Sequence, residues 1–180
     1  MNAKSGGVDA FLSRVSERVG QRLHGIAAEL ALGIDIVSLS GGKMLRSRLV
    51  FRLGEAGASG RSLDEQVTLC AAAEMAHTAS LFHDDVIDNA ALRRSRPALW
   101  TVAGASGAVL LGDVVLCEAL SIVTNAFSAE MVRRFVSKMR EMCLAETLQE
   151  LSLRGKRVDD ATCLRVARTK TGPLFAFLAR

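Results

Sequence analysis

The sequence predicts an all-α protein, a helical bundle folded as one domain across residues 1–180. Three observations carry that expectation. Hydrophobic residues make up 49% of the chain but aromatic ones only 4%, with 2 prolines and no tyrosine, a composition dominated by Ala, Leu, Val and Arg. Apolar residues recur at three- and four-residue intervals through long segments, while the alternation that strands require is scarce. The chain is long enough to enclose a substantial core, and no repeat, low-complexity run or linker divides it.

Taken in order, residues 8–32 carry Phe11, Leu12, Val15, Val19, Leu23, Ile26 and Leu30 at helical spacing, with charges between them. They predict an amphipathic first helix with His24 on its surface or rim. Ser40-Gly41-Gly42-Lys43-Met44-Leu45-Arg46 then leads into the apolar Leu49-Val50-Phe51. Paired glycines before a helix let backbone N–H groups approach an anion, and the helix N-terminus adds positive partial charge. Lys43 and Arg46, three positions apart, are expected to point the same way. Alone, this stretch also describes an ordinary loop with solvated bases, and no complete phosphate-loop signature GxxxxGK[ST] occurs.

Residues 55–61 form a loop, and Ser62 opens a long central helix. After Pro97 the chain is polar and glycine-dotted through Gly107, then helical through Phe127, interrupted at Gly112-Asp113. Asp113 is expected as a helix cap or a buried hydrogen-bond anchor. Residues 129–154 predict another long helix, with Glu146 and Gln149 on one face among Met142, Cys143, Leu144 and Leu148. Gly155 to Asp160 is a turn, and Ala161 begins a last helix carrying Arg168, Lys170 and Thr171 before Gly172-Pro173. A lysine in such a helix ordinarily snorkels to solvent.

The net charge of +4 does not call for nucleic acid, and it fits an anionic small substrate as well. The 4 cysteines (Cys70, Cys117, Cys143 and Cys163) form no CxxC pair, so they are expected as reduced core residues in a cytoplasmic protein. Residues 1–10 lack an apolar leader. The most membrane-like stretch, Val102 to Val123, is broken by Asp113 and Glu118 and is expected as a core helix of a soluble bundle, with no membrane span.

The chemistry concentrates between Glu74 and Pro97. Asp84, Asp85 and Asp88 sit in an alanine-rich apolar run, and Arg93 and Arg94 follow. On a helix, His77, Asp84 and Asp88 line one stripe, with Glu74 at its upper edge and Asp85 turned aside. An aspartate cluster alone describes a solvated face as readily as a metal site. Here Ala71 to Ala73, Ala76, Ala79, Leu81, Phe82, Val86 and Ile87 describe a buried helix, where charges are costly unless paired or liganded. Mg²⁺ takes such oxygens and keeps substrate phosphates in its other positions, and arginine forks suit those phosphates. The residues therefore predict a metal–diphosphate site.

The ordered set Gly-Gly-Lys-x-x-Arg, Glu-x-x-His, His-Asp-Asp-x-x-Asp, Arg-Arg-x-x-Pro, Gly-Asp, Glu-x-x-Gln and Lys-Thr, over residues 40 to 175, resembles the trans-isoprenyl diphosphate synthases, or polyprenyl synthetases. The resemblance implies an isoprenoid-synthase-type bundle around a central cavity. It implies head-to-tail condensation of an allylic diphosphate with isopentenyl diphosphate, a Mg²⁺ cofactor and a homodimer. It assigns Lys43, Arg46, His77 and Arg94 to isopentenyl diphosphate, and Arg93, Lys170, Thr171 and Gln149 to the allylic diphosphate. Asp84 and Asp88 become metal ligands with Asp85 beside them in outer-shell support, and Glu146 joins Gln149 in lining the cavity. Asp84, Asp88, Arg93 and Lys170 form the catalytic group.

Departures from the pattern are Ser47 where the family has proline, Ser95 where it has glycine, and Met44 in place of a common arginine. The two serines are expected to loosen turns. A second aspartate-rich motif, present on a later helix in the family, does not occur before Arg180, so the chain is expected to be incomplete, lacking its C-terminal helices and turning over poorly alone. A non-catalytic or complementing subunit of a heteromeric synthase is the alternative. Small residues at Ala79 and Ser80, before the first aspartate, imply a medium or long product, and Ala79→Phe is expected to shorten it.

Overall fold

A computed structural model describes residues 3–57 and 60–179. Helix α1 spans Ala3–Glu29, the short α2 Val37–Ser40, α3 Leu45–Glu55 and α4 Leu63–Ile87. A two-stranded hairpin follows, β1 (Leu92–Arg93) antiparallel to β2 (Arg96–Pro97). Then come α5 (Leu99–Ala126), α6 (Ala129–Leu148), a π-helical turn (Gln149–Leu153) and α7 (Asp160–Leu178). The all-α expectation holds.

Each helix forms for a local reason. In α1 the predicted stripe is the buried one: Phe11, Leu12, Val15, Val19, Leu23 and Ile26 all pack inward, each worth about 1.5–3 kcal/mol against exposure. Leu30 falls beyond the helix end and stays exposed, because Ala31 turns left-handed (φ 48°). Helix α4 starts with a reciprocal cap: Glu65 N–H donates to Ser62 Oγ (3.2 Å) and Ser62 N–H to Glu65 Oε2 (2.7 Å). It then runs through the centre of the bundle, packing along α5 and meeting α1, α3 and α7. Leu69 to Ala73 are wholly buried, and their small side chains let neighbouring helices close on α4.

The structure corrects several expectations. Helix α5 begins at Leu99, nine residues before the sequence suggests, and the glycine-dotted stretch is helical with one break at Gly104 (φ 74°). Its role as a core helix is half right. Leu111, Val115, Ala119, Ile122 and Val123 pack inward, whereas Val102 (61% exposed) and Leu110 (64%) face outward. It is the one helix among the described residues long and apolar enough to cross a membrane. Its acids are spent on the bundle instead, Glu118 accepting from Arg22 of α1 at 2.7 Å and Asp113 meeting His83 of α4 at 3.3 Å. Of the cysteines only Cys70 is in the core, where burial pushes its thiol up to about 12; Cys117, Cys143 and Cys163 are exposed. Finally, α7 starts at Asp160, capped by Asp159 Oδ1 accepting from Thr162 N–H (2.8 Å), and runs past Gly172 with a buried Pro173 inside it.

Candidate active site

Elements α3, α4, α6 and α7 enclose a cavity of about 390 Å³. Its polar wall carries Arg46, His77, Asp84, Glu146, Lys170 and Thr171, and its apolar part Leu81, Ile87, Met139 and Met142. A second cavity of about 550 Å³ adjoins it through Lys170 and Thr171, with Asp88 and Gln149 on its wall. His77 and Asp84 share one space as their spacing predicts, while Asp88, which caps the C-terminus of α4, opens on the other.

Negative charge is in surplus between these spaces. Burial, then Glu146 and Asp88, raise Asp84 to about 6, although Lys170 and Arg93 work against the rise. Lys170 Nζ donates to Glu146 Oε2 at 2.6 Å. Burial opposes the lysine's charge, but that hydrogen bond with Asp84, Glu146 and Asp88 nearby lifts its pKa above the ordinary lysine value. One ammonium thus serves three carboxylates. A divalent cation fits such a deficit, since Mg²⁺ is held by one or two carboxylates and completes its octahedron with water and substrate oxygens. No three His, Cys, Asp or Glu side chains converge as a ready-made metal cage among the described residues.

Asp85, expected in outer-shell support of the metal, lines neither cavity and is taken up by Arg93 instead. It is 2% exposed, and Arg93 Nε and Nη2 donate to its two oxygens at 2.6–2.8 Å. The hydrogen bond that Arg93 donates to Asp85 leads the causes that raise the arginine above its usual value. The aspartate therefore aims the arginine. Sequence spacing places Asp85 to the side of the stripe, as found.

The hairpin brings the second arginine over the glycine loop. Leu92 pairs with Pro97 and Arg93 with Arg96, leaving a two-residue turn in which Arg94 (φ 52°) and Ser95 (φ 63°) are both left-handed. That conformation suits glycine, so Ser95 maintains the turn at a cost rather than loosening it. The Arg94 guanidinium lies on Gly42, where an added Cβ would sit 2.7 Å from its Nη2. Gly41, Gly42, Arg93, Arg94 and Arg96 line a cup of about 240 Å³, a backbone-and-guanidinium surface suited to an anion.

Arg46 and His77 meet at 3.4 Å between Nη2 and Nδ1, and the guanidinium lies 5.3 Å over the Phe175 ring. Burial, then Arg46, Arg94 and Arg93, lower His77 to about 3, so the ring is neutral near pH 7. Lys43 does not join them. Met44 is left-handed (φ 47°) and α3 starts only at Leu45, so Lys43 and Arg46 share no helix face. Lys43 lines a separate recess with Asp9, Ser13, Ser16 and Arg48.

Other contacts are invisible to spacing. His83 Nε2 lies 3.1 Å from Val109 O and 3.3 Å from Asp113 Oδ1, so Asp113 is a half-exposed partner of the aspartate motif, not a cap or buried anchor. An added Cβ at Gly112 would fall 2.4 Å from that imidazole nitrogen, which ties the Gly-Asp pair to the HDD stretch. Ser47 is not in a turn but wholly buried, donating to Glu74 Oε1 at 2.9 Å. Ser80 lines the cavity, whereas Ala79 is 1% exposed and turned into the core.

Residues 29–180 match the polyprenyl synthetase family model. The chain is 34% identical over 142 residues to the geranylgeranyl diphosphate synthase of Mycobacterium tuberculosis, covering 75% of this chain and 39% of that protein. It is 28% identical over 181 residues to the octaprenyl diphosphate synthase of Escherichia coli, covering 94% and 55%. Among solved structures it is similar to a geranyltranstransferase from Thermotoga maritima (29% identity, TM-score 0.78, covering 95% of this chain and 65% of that one). It is also similar to a polyprenyl synthase from Caulobacter crescentus complexed with calcium and isoprenyl diphosphate (26%, TM-score 0.79, covering 95% and 52%). The chain thus spans about half the length of the curated relatives it matches.

Proposed function

This chain belongs to the polyprenyl synthetase family, and from that premise we propose that it condenses an allylic diphosphate with isopentenyl diphosphate, head to tail, to give a medium or long polyprenyl diphosphate. The observation that supports the reading is the meeting of opposite charges at this end of the bundle: Asp84 shares one cavity with Arg46 and Lys170, Asp88 shares the adjoining one with Lys170, and Arg93 and Arg94 line the glycine cup.

Asp84 and Asp88 would hold Mg²⁺, whose positive charge, when bound, stabilises the diphosphate oxygens that gain charge as the allylic C–O bond breaks. Arg93, aimed by Asp85, and Lys170 with Thr171 grip the same leaving group, and Gln149 lines its side of the site. Arg46, neutral His77 and Arg94 orient isopentenyl diphosphate so that its alkene meets the allylic carbon. Lys43 approaches this group only if its loop turns inward. Leu81, Ile87, Met139 and Met142 keep water from the cation formed between the substrates. The released diphosphate takes the proton lost in the last step.

Two further assignments belong to this proposal. A homodimer would cover the outward Val102, Leu110 and Val114 of α5, an apolar surface that the bundle itself leaves open. The cytoplasm suits the free thiols.

The test is incorporation of labelled isopentenyl diphosphate with geranyl, farnesyl or geranylgeranyl diphosphate as primer. Whatever elongation the chain supports should require Mg²⁺ and fall at least a hundredfold in Asp84→Asn or Arg93→Ala. Elongation that survives both substitutions, or that ignores chelation of the metal, overturns the reading.

A further inference from the structure

Two arginines near the cavity are treated in opposite ways by their carboxylates. Arg93 is clasped: its fork takes both oxygens of Asp85 at 2.6–2.8 Å. Arg46 has Glu74 within electrostatic range, yet no ion pair closes between them among the described residues. Among the described residues its Nε is buried without a hydrogen-bond partner, and the guanidinium's side-chain hydrogen-bond contact is the 3.4 Å approach to His77. A part-buried guanidinium whose Nε is shut off from water and unpaired costs free energy until an acceptor arrives. A carboxylate one side chain away would normally take them, since bidentate arginine–carboxylate pairs are among the strongest contacts available.

What holds Glu74 back is visible. Ser47, the neighbour of Arg46 on α3, is wholly buried and donates its hydroxyl to Glu74 Oε1 at 2.9 Å. The carboxylate is thereby anchored within electrostatic range of the arginine, but not closed on its fork. Phe175 covers one side of the guanidinium, with its ring centre 5.3 Å away, and Arg46 lines the cavity.

We propose that Ser47 is a positioning residue that restrains Glu74 and so leaves the Arg46 guanidinium free for the diphosphate of isopentenyl diphosphate. The proposal rests on the functional reading above for the ligand, and on the Ser47–Glu74–Arg46 geometry for the device. Removing the hydroxyl lets Glu74 close on Arg46 and compete with the incoming anion. The effect of Ser47 must therefore act through the Glu74 carboxylate and be confined to the ligand that Arg46 holds.

Isothermal titration of the full chain with isopentenyl diphosphate, and separately with geranyl diphosphate, tests this in four proteins: wild type, Ser47→Ala, Glu74→Gln and the double variant. Ser47→Ala should weaken isopentenyl diphosphate binding three- to tenfold and leave geranyl diphosphate binding within twofold. In the Glu74→Gln background the same substitution should have no effect on either ligand, because the competitor has gone. An equal loss in both backgrounds, an equal loss for both ligands, or no loss at all overturns the proposal, since a purely structural serine behaves in those ways. Should Ser47→Ala not fold, Ser47→Cys, a weaker donor of similar size, should show the same background-dependent loss, and its absence counts equally against the idea. Arg46→Ala separates the two layers. A wild type that binds no isopentenyl diphosphate, or binds it regardless of Arg46, refutes the functional reading itself. Binding that needs Arg46 but ignores Ser47 refutes only the restraint.

Discussion

Replacing Gly112 by alanine pits two opposite effects against each other. Gly112 lies inside α5, where alanine should gain about 1 kcal/mol from helix propensity. The added Cβ, however, would lie 2.4, 2.7 and 3.2 Å from three atoms of the His83 imidazole. The ring must swing away, losing its 3.1 Å contact to Val109 O and its 3.3 Å contact to Asp113. Overpacking costs about 1–3 kcal/mol and the hydrogen bond about 1. The net expectation is a loss of about 1–3 kcal/mol, so crowding beats propensity. Urea unfolding followed by circular dichroism reads this directly. His83→Ala removes the obstacle, and in that background Gly112→Ala should stabilise by about 1 kcal/mol. A stabilising Gly112→Ala in the wild-type chain, or the same sign in both backgrounds, refutes the reasoning.

Four other outcomes follow from particular residues. Ser95→Gly should relieve about 1–2 kcal/mol of left-handed strain at φ 63°, less about 0.4–1 for the freer unfolded chain, and so raise the melting temperature by a few degrees in calorimetry. Ser80→Phe should shorten the prenyl product on chromatography because its side chain enters the cavity; Ala79→Phe should instead destabilise the fold by about 1–3 kcal/mol, because that position packs in the core. His77 is held near 3 against an ordinary 6.5, so the unfolded chain takes up its proton first on acidification. The contribution of neutral, buried His77 is whole above about pH 6.5 and lost progressively as pH falls towards 3. In urea-midpoint profiles, His77→Gln should remove that part of the acid slope, and unchanged slopes would disprove it.

The sequence carried whatever one helix decides alone. The stripe of α1 from Phe11 to Ile26, the cap Ser62–Glu65, and the shared face of His77 and Asp84 follow from a 3.6-residue period and from local hydrogen bonding. Contacts between elements were illegible. Nothing in the spacing pairs Lys170 with Glu146, Asp85 with Arg93, or Ser47 with Glu74. Lys43 was misplaced because the left-handed Met44 has no signature, methionine being an uncommon residue at positive φ. The start of α5 was missed because several glycines suggest a loop while only Gly104 departs from helical geometry. Cys117, Cys143 and Cys163 were expected inside because a residue type's average burial says nothing about which face of a helix it occupies.

The π-helical turn at Gln149–Leu153 has a consequence for how this protein can vary. Such a turn holds one residue more than an α-helix needs, at the place where Glu146 looks into one cavity and Gln149 into the next. Deleting a single residue there would regularise the ladder while rotating the later side chains of that turn by about 100° against α4. The wall made by Glu150, Leu153 and Arg154 would then be re-dealt in one genetic event, with the aspartates and arginines across from it untouched.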